Sequence, residues 1–275
     1  MKFDPPLEAV TLLRRYKRFL ADVRRADGSE MTVHCPNTGS MKNCVLPGVE
    51  QLALISDSGN LKRKYRHTLE ALQVAHGHWA GVNTSRTNAL VEEAVRAGRI
   101  PELSPLTGVE REVTFGDSRF DLALGERKQP HTFIEVKNVT LGPGPDDPDD
   151  GIIAFPDSVT ERGQKHLLTL MQVVAQGHRA VLFFCVQHTG AVVARPADEM
   201  LLAQTAGLAG DGSALGRAID DLAQRADGAK AKDVRREFND LFIGLGRGEL
   251  LPYASYYLTG FLNEKPLAVL RNDLA

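Results

Sequence analysis

The sequence predicts an α/β protein in three parts: a small β-barrel over residues 1–80, an α/β domain over 81–197, and an all-helical segment over 198–275. Three observations lead there. Short alternating stretches separated by turn signals occupy the first part, as in small closed sheets. In the second, two alternating strands read as a hairpin, and an amphipathic helix then leads into the apolar run Val181 to Val186, the order of a βαβ unit. Beyond about Ala197 the strand signals give way to a helical pattern.

Composition sets the outer limits. At 275 residues, with 43% hydrophobic and 25% charged residues, the chain has room for more than one ordinary globular core. The net charge of −2 is unevenly spread: residues 1–80 carry 12 Lys+Arg against 8 Asp+Glu, residues 81–197 carry 12 against 15, and 198–275 carry 9 against 12. The basic excess therefore sits where a polyanion would meet the barrel. Cys35, Cys44 and Cys185 make an odd number without framework spacing, as expected of reduced thiols in the cytoplasm. The opening residues contain no apolar signal segment, and Val181 to Val186 falls far short of a membrane span. A soluble cytoplasmic protein with no membrane partner is expected.

In chain order, the strand pattern from Ala9 to Ala26 carries Arg14, Arg15, Lys17 and Arg18 around Tyr16 and Phe19, cations for phosphates beside rings for bases. Asp27-Gly28 marks a tight turn into a strand over Glu30 to His34. Together these elements read as an OB-like barrel, an architecture suited to single-stranded or distorted nucleic acid. The segment His34-Cys35-Pro36-Asn37-Thr38-Gly39-Ser40-Met41 reads as a tight loop whose polar side chains satisfy backbone groups, since His34 and Cys35, with Cys44 and His67 farther on, match no usual zinc spacing. Lys62, Arg63, Lys64 and Arg66 form a second basic cluster around Tyr65, so both clusters are candidate DNA contacts.

In the second part, Thr87 to Gly98 reads as a helix, with Glu93 sharing a face with Ala89 and Leu90. Ser118 to Leu124 and Phe133 to Lys137 then alternate across a short polar loop, Gly125 to Pro130, so Asp121, Glu135 and Lys137 can converge. A carboxylate and an ammonium inside an apolar strand are costly unless solvated, paired or used. Asp146, Asp147, Asp149 and Asp150 crowd the loop between Gly142 and Gly151, which reads as a flexible, solvated insertion. From about Thr160, Leu167, Leu170, Met171 and Val174 follow helical spacing to a stop at Gly177, with Gln164 one turn before Leu167.

Asp121 followed by Glu135-x-Lys137 on adjacent strands resembles the core of PD-(D/E)XK nucleases. The phrases His34 to Met41, Lys62 to Tyr65, Gly81 to Thr84, Ile100 to Leu103, Glu135 to Leu141 and Phe155 to Leu167 occur in the order found in the SfsA, or sugar fermentation stimulation, family. The resemblance covers about residues 1–197. It implies an OB-like domain, a PD-(D/E)XK nuclease-like α/β domain, DNA as partner and Mg²⁺ as cofactor. On that resemblance Asp121, Glu135 and Glu93 hold the metal, Lys137 acts on the nucleophile, Gln164 orients it, and Lys165 and His166 add phosphate contacts. The acidic loop departs from the shorter connection expected of the family.

After the family pattern breaks off, Glu237 to Gly244, Gly246 to Tyr253 and Tyr257 to Leu262 resemble the TorD family of helical chaperones for molybdoenzymes. A partial TorD-like segment joined by gene fusion is expected. Three functions follow from the sequence: a Mg²⁺-dependent nuclease, a DNA-binding regulator of sugar metabolism genes with an inactive nuclease fold, and a signal-peptide-binding chaperone acting through the tail. A second copy of the chain is also admitted as a partner.

Overall fold

Alternation of polar and apolar residues builds the barrel. Strand β1 (Glu8–Tyr16) buries Val10 and Leu12, and it turns through Lys17 and Arg18, at left-handed φ of 49° and 65°, into β2 (Leu20–Arg24). Gly28, at φ 84°, makes the expected turn into β3 (Glu30–His34), where Asp27 Oδ1 accepts the Ser29 amide at 2.9 Å. Strands β4 (Gln51–Asp57), β5 (His67–Gln73) and β6 (Trp79–Gly81) complete a sheet of order β3-β2-β1-β4-β5-β6. A parallel bridge between His34 and Thr68 closes it on itself. This is an OB-type barrel, and Val23, Val33, Ala53, Ile55, Leu69 and Leu72 fill it. Each fully buried Leu or Ile contributes roughly 1.5–3 kcal/mol.

The computed structural model of the chain describes residues 3–103, 108–126, 129–155, 166, 169, 170, 172–196, 254–257 and 268–271. After the barrel, helix α1 (Thr84–Arg96) begins earlier than the sequence pattern indicates, because the Asn83 side chain accepts the Ser85 amide at 3.1 Å and caps it. Its buried stripe is Thr87, Leu90, Val91, Ala94 and Val95, and Gly98 at φ 64° follows its end. Strands β7 (Val109–Phe115), β8 (Ser118–Glu126) and β9 (Gln129–Val139) form an antiparallel meander. Strand β10 (Ile152–Phe155) leaves this sheet to pair in parallel with β12 (Val193–Pro196). Strand β11 (Arg179–Val186) lies parallel to β9 from Thr132↔Arg179 to Val139↔Val186, as the sequence predicts.

Helix α1 covers one face of this sheet through Leu122, Leu124, Ile134 and Val136. Helical residues around Leu170 and Val173 cover the other, against Phe120, Ala123 and Phe133. Two short extended segments, β13 (Ala254–Tyr257) and β14 (Ala268–Arg271), continue the sheet beyond β11. An open parallel edge offers unpaired amides and carbonyls to any segment that reaches it, and these residues of the expected helical segment are extended there. The rest of that segment lies outside the described residues. Among the described residues, no helix is long and apolar enough to cross a membrane.

The two domains share backbone bonds. Gly81 N donates to Gln187 O at 2.9 Å, Thr189 N to Trp79 O at 2.9 Å, and Ala80 bridges His188. Buried Glu70 of β5 ties the barrel to the start of α1: its carboxylate accepts Ser56 Oγ at 2.6 Å, Asn83 Nδ2 at 2.8 Å and Arg86 at 3.0 Å. The acidic loop, expected to be solvated and flexible, is pinned to the barrel. His78 Nε2 lies 2.9 Å from Asp149 Oδ1, His76 Nε2 lies 3.2 Å from Gly144 O, and Asn43 donates to Gly142 O at 2.8 Å. The hydrogen bond with His78 holds the Asp149 carboxyl below its ordinary value.

Candidate active site

Strands β8 and β9 pair from Glu126↔Gln129 inward to Leu122↔Ile134, and no pair is formed beyond that point. The strands part at Asp121. In place of a ladder bond, the Val136 amide donates to Asp121 Oδ2 at 2.7 Å, while Asn88 of α1 donates to Oδ1 at 2.7 Å. Glu135 and Lys137 continue along β9, which stays paired to β11, so they hang over the crevice that the parting strands open. A cavity of about 280 Å³ lies there. Asp121, Glu135, Lys137, Asn88, Asn138 and Thr140 line it, and so do Asn37 and Gly39 from the barrel.

Lys137 Nζ donates to Glu135 Oε1 at 2.5 Å and lies 3.0 Å from His166 Nδ1, and His166 also contacts Glu135 Oε1. Glu135 is only 4% exposed. Burial pushes its carboxyl up, but the hydrogen bond from His166 and the charge and hydrogen bond of Lys137 reverse this and leave it below the ordinary value. Asp121 goes the other way. Burial and the Glu135 charge raise it, and the bonds from Val136 N and Asn88 offset only part of that. A half-buried and a buried carboxyl with opposite shifts face one polar cavity, an arrangement typical of sites that handle charge.

The structure thus brings Asp121, Glu135 and Lys137 together. It does not bring Glu93, which is exposed and lies two positions beyond the buried Val91, on the far side of α1. The neighbouring Glu92 pairs with Arg96 at 2.8 Å and Arg111 at 3.5 Å. From this helix Asn88 reaches the site instead, its turn placed by the Asn83 cap. Gln164 lies outside the described residues. His166 stands on the two residues of β9 rather than out in the cavity mouth. Neither Asn88 nor the grip of His166 on Glu135 was read from the sequence, although the helical spacing of His166 to Leu170 and Val173 was a usable signal.

The basic candidates divide in two. Lys17, Lys62, Arg63 and Lys64 are exposed and make no ion pair among the described residues, and Lys64 stands 5.5 Å above the Tyr65 ring. The others are engaged within the fold: Arg14 with Asp22 at 2.8 Å, Arg66 with Asp57, Arg18 with Thr38 O at 3.2 Å, and Arg15 with three carbonyls. The Arg66 hydrogen bond holds the Asp57 carboxyl at about 2. Cys35 and Cys44 are buried free thiols, at 3.7 Å from Asn37 O and 3.5 Å from Thr140 O.

An OB-type barrel joined to a mixed-sheet α/β domain with an Asp and a Glu-x-Lys where two strands part defines the class. Family models agree in both halves: the SfsA N-terminal OB domain matches residues 13–82 and the sugar fermentation stimulation protein RE domain matches 85–205. The chain belongs to the sugar fermentation stimulation protein (SfsA) family. A homologue of that protein in Alcanivorax borkumensis is 84% identical over 200 residues, 73% of this chain and 83% of its own length. One in Teredinibacter turnerae is 58% identical over 203 residues, with the same coverage of 73% and 83%. The solved structure of Pyrococcus furiosus SfsA in complex with Ca²⁺ shares the fold, with a TM-score of 0.65 at 20% identity over 94% of this chain and 90% of that one. Residues 209–275 match a third model, the nitrate reductase delta subunit, in keeping with the TorD-like resemblance of the tail.

Proposed function

We propose that this protein is a DNA-binding, Mg²⁺-dependent hydrolase of phosphodiester bonds. The observation that carries the reading is a pair of carboxyls, half-buried Asp121 and buried Glu135, facing one cavity with Lys137 beside them. Partial burial raises Asp121, and the Glu135 charge adds to it, so a cation bound between the two carboxyls would stabilise both in their charged form. A hard divalent cation with oxygen ligands fits such a donor set, and Asp121 and Glu135 are the residues that would hold it. When bound, Mg²⁺ supplies a water of lowered pKa and a polarised phosphoryl oxygen. Asn88 and the Val136 amide fix the rotamer of Asp121, and Lys137 offers its ammonium to an attacking oxygen or to charge developing on the phosphate. The exposed Lys17, Lys62, Arg63 and Lys64 supply the diffuse attraction for DNA.

A second reading has its own support. Both Asp121 oxygens already accept hydrogen bonds, and Glu135 is paired with Lys137 and His166, which suits a DNA-binding regulator whose nuclease fold is inactive. Cleavage of single-stranded, duplex and branched DNA with Mg²⁺, Mn²⁺ or Ca²⁺ decides between them. The hydrolase reading expects metal-dependent cleavage that Asp121→Asn, Glu135→Gln and Lys137→Ala each abolish while DNA binding survives. No cleavage by wild type with any of these metals, or wild-type cleavage by Asp121→Asn, sinks it in favour of the regulator.

A further inference from the structure

Arg15 belongs to the barrel's basic strand, yet its guanidinium is spent on backbone. Its Nη2 lies within hydrogen-bond distance of Asn37 O at 2.9 Å, Gly39 O at 3.0 Å and Arg18 O at 2.8 Å, sharing its two hydrogens among them, and Arg18 Nε donates to Thr38 O at 3.2 Å. The two arginines therefore hold the carbonyls of residues 37–39, Arg15 through the Nη2 end of its guanidinium. The loop is tied down elsewhere too. Asn37 Oδ1 accepts the Gly39 amide at 2.8 Å, and Thr84 of α1 donates to Pro36 O at 3.2 Å. Beyond it, Met41 and Asn43 take left-handed φ of 52° and 59°. Such conformations persist where the surroundings over-determine them: Met41 is buried against Cys35, and Asn43 and Cys44 bond to Gly142 O and Thr140 O just past Lys137. The loop so held lines the same cavity as Asp121, Glu135 and Lys137, through Asn37 and Gly39, with Thr38 and Ser40 exposed at its crest.

We propose that residues 37–40 are a substrate-binding wall of the site, contacting the sugar–phosphate backbone of a nucleic-acid strand beside the bond presented to the carboxyls, and that Arg15 positions this wall without itself contacting phosphate. The inference rests on the phosphodiester reading of the cavity. Neutral hydroxyl and amide groups are what the cavity offers along the wall and opposite it, in Asn37, Thr84, Thr87, Asn88, Asn138 and Thr140. Such groups, with backbone amides, set the register of a strand through its phosphates and sugars without reading sequence. A wall pre-formed before the strand arrives spares the ordering cost of binding.

The test is binding of a fluorescein-labelled single-stranded oligodeoxynucleotide to the full chain in Ca²⁺ across a salt series, beside cleavage in Mg²⁺. For Arg15→Ala the affinity should fall about tenfold or more, the scale of effect that misplaced positioning groups have, with the log–log salt slope unchanged. Arg15→Lys, which keeps the charge but not the reach and planar donors of the guanidinium, should not rescue it. A slope lowered by about 0.7, the value for one single-strand phosphate left without its cation, would make Arg15 a phosphate contact and overturn its positioning role, and so would wild-type affinity in Arg15→Ala. Thr38→Glu sits at an exposed position that folding tolerates, and it should weaken binding at unchanged melting temperature; wild-type binding by Thr38→Glu overturns the wall. If wild type binds the probe and never cleaves, while Thr38→Glu fails to bind, the hydrolase reading falls and the wall stands. If wild type cleaves and both Arg15→Ala and Thr38→Glu keep its kcat and KM, the wall falls and hydrolysis stands.

Discussion

His188 offers a measurable link between pH and the junction of the two domains. It is 4% exposed, accepts the Gly190 amide on Nδ1 at 3.2 Å, and packs against His78 with ring centroids 5.7 Å apart. Burial, together with the His78 charge, pushes its pKa down to about 4, with Asp149 opposing weakly. A histidine kept neutral in the fold and free to protonate when unfolded contributes stability that is complete above about pH 6.5 and is lost as pH falls towards 4. The full difference of roughly 2.5 pKa units corresponds to about 3 kcal/mol, of which about 2.5 kcal/mol is already lost at about pH 4.5. Urea unfolding followed by fluorescence suits the question, because Trp79, the one tryptophan of the chain, bonds through its backbone to Thr189 beside His188. His188→Gln should lose much less stability than wild type between about pH 7 and pH 4.5, since the group held down to about 4 is gone. Parallel pH profiles for the two proteins would refute the reasoning.

Glu70→Ala strands the buried Ser56 and Asn83 and one face of the half-exposed Arg86. It should cost about 2–3 kcal/mol, seen as a lower denaturation midpoint, whereas a change within about 0.5 kcal/mol would mean that water replaces the carboxylate. Asn88→Ala frees one oxygen of Asp121 and its rotamer. Mg²⁺ affinity by calorimetry should fall about 10- to 100-fold, as when other partners of ligating groups are removed, and unchanged affinity would disconnect Asn88 from the metal. Neutralising Lys62, Arg63 and Lys64 together should flatten the log–log salt dependence of DNA binding by about 0.7–0.9 for each phosphate that no longer meets a cation; an unaltered slope would remove this loop from the interface.

Much of the architecture was legible in the chain because it depends on short-range chemistry. Alternation placed β8 and β9, Gly28 and Gly98 marked a turn and a helix end, and the apolar run 181–186 announced a strand buried parallel to β9. The meeting of Asp121, Glu135 and Lys137 followed from the same rules, since a hairpin with a short connection leaves little freedom of register. Partners from distant parts of the chain were another matter. Periodicity says that a helix has a buried stripe but only roughly where it is centred, so the spacing turns Glu93 inward whereas it lies outward in the fold, and Asn88 takes the place beside Asp121. A basic residue reads as a phosphate contact until its partners are known, and Arg15 finds its partners in carbonyls 22 and 24 residues away. The acidic loop looked solvated because its prolines, glycines and aspartates pack on nothing local; His76, His78 and Asn43 of the barrel hold it from about 70 to 100 positions earlier. Local propensity therefore determined the elements and the chemistry of β9, and packing of the barrel against the sheet decided which side chains complete the cavity, because those contacts form only between surfaces that folding brings together.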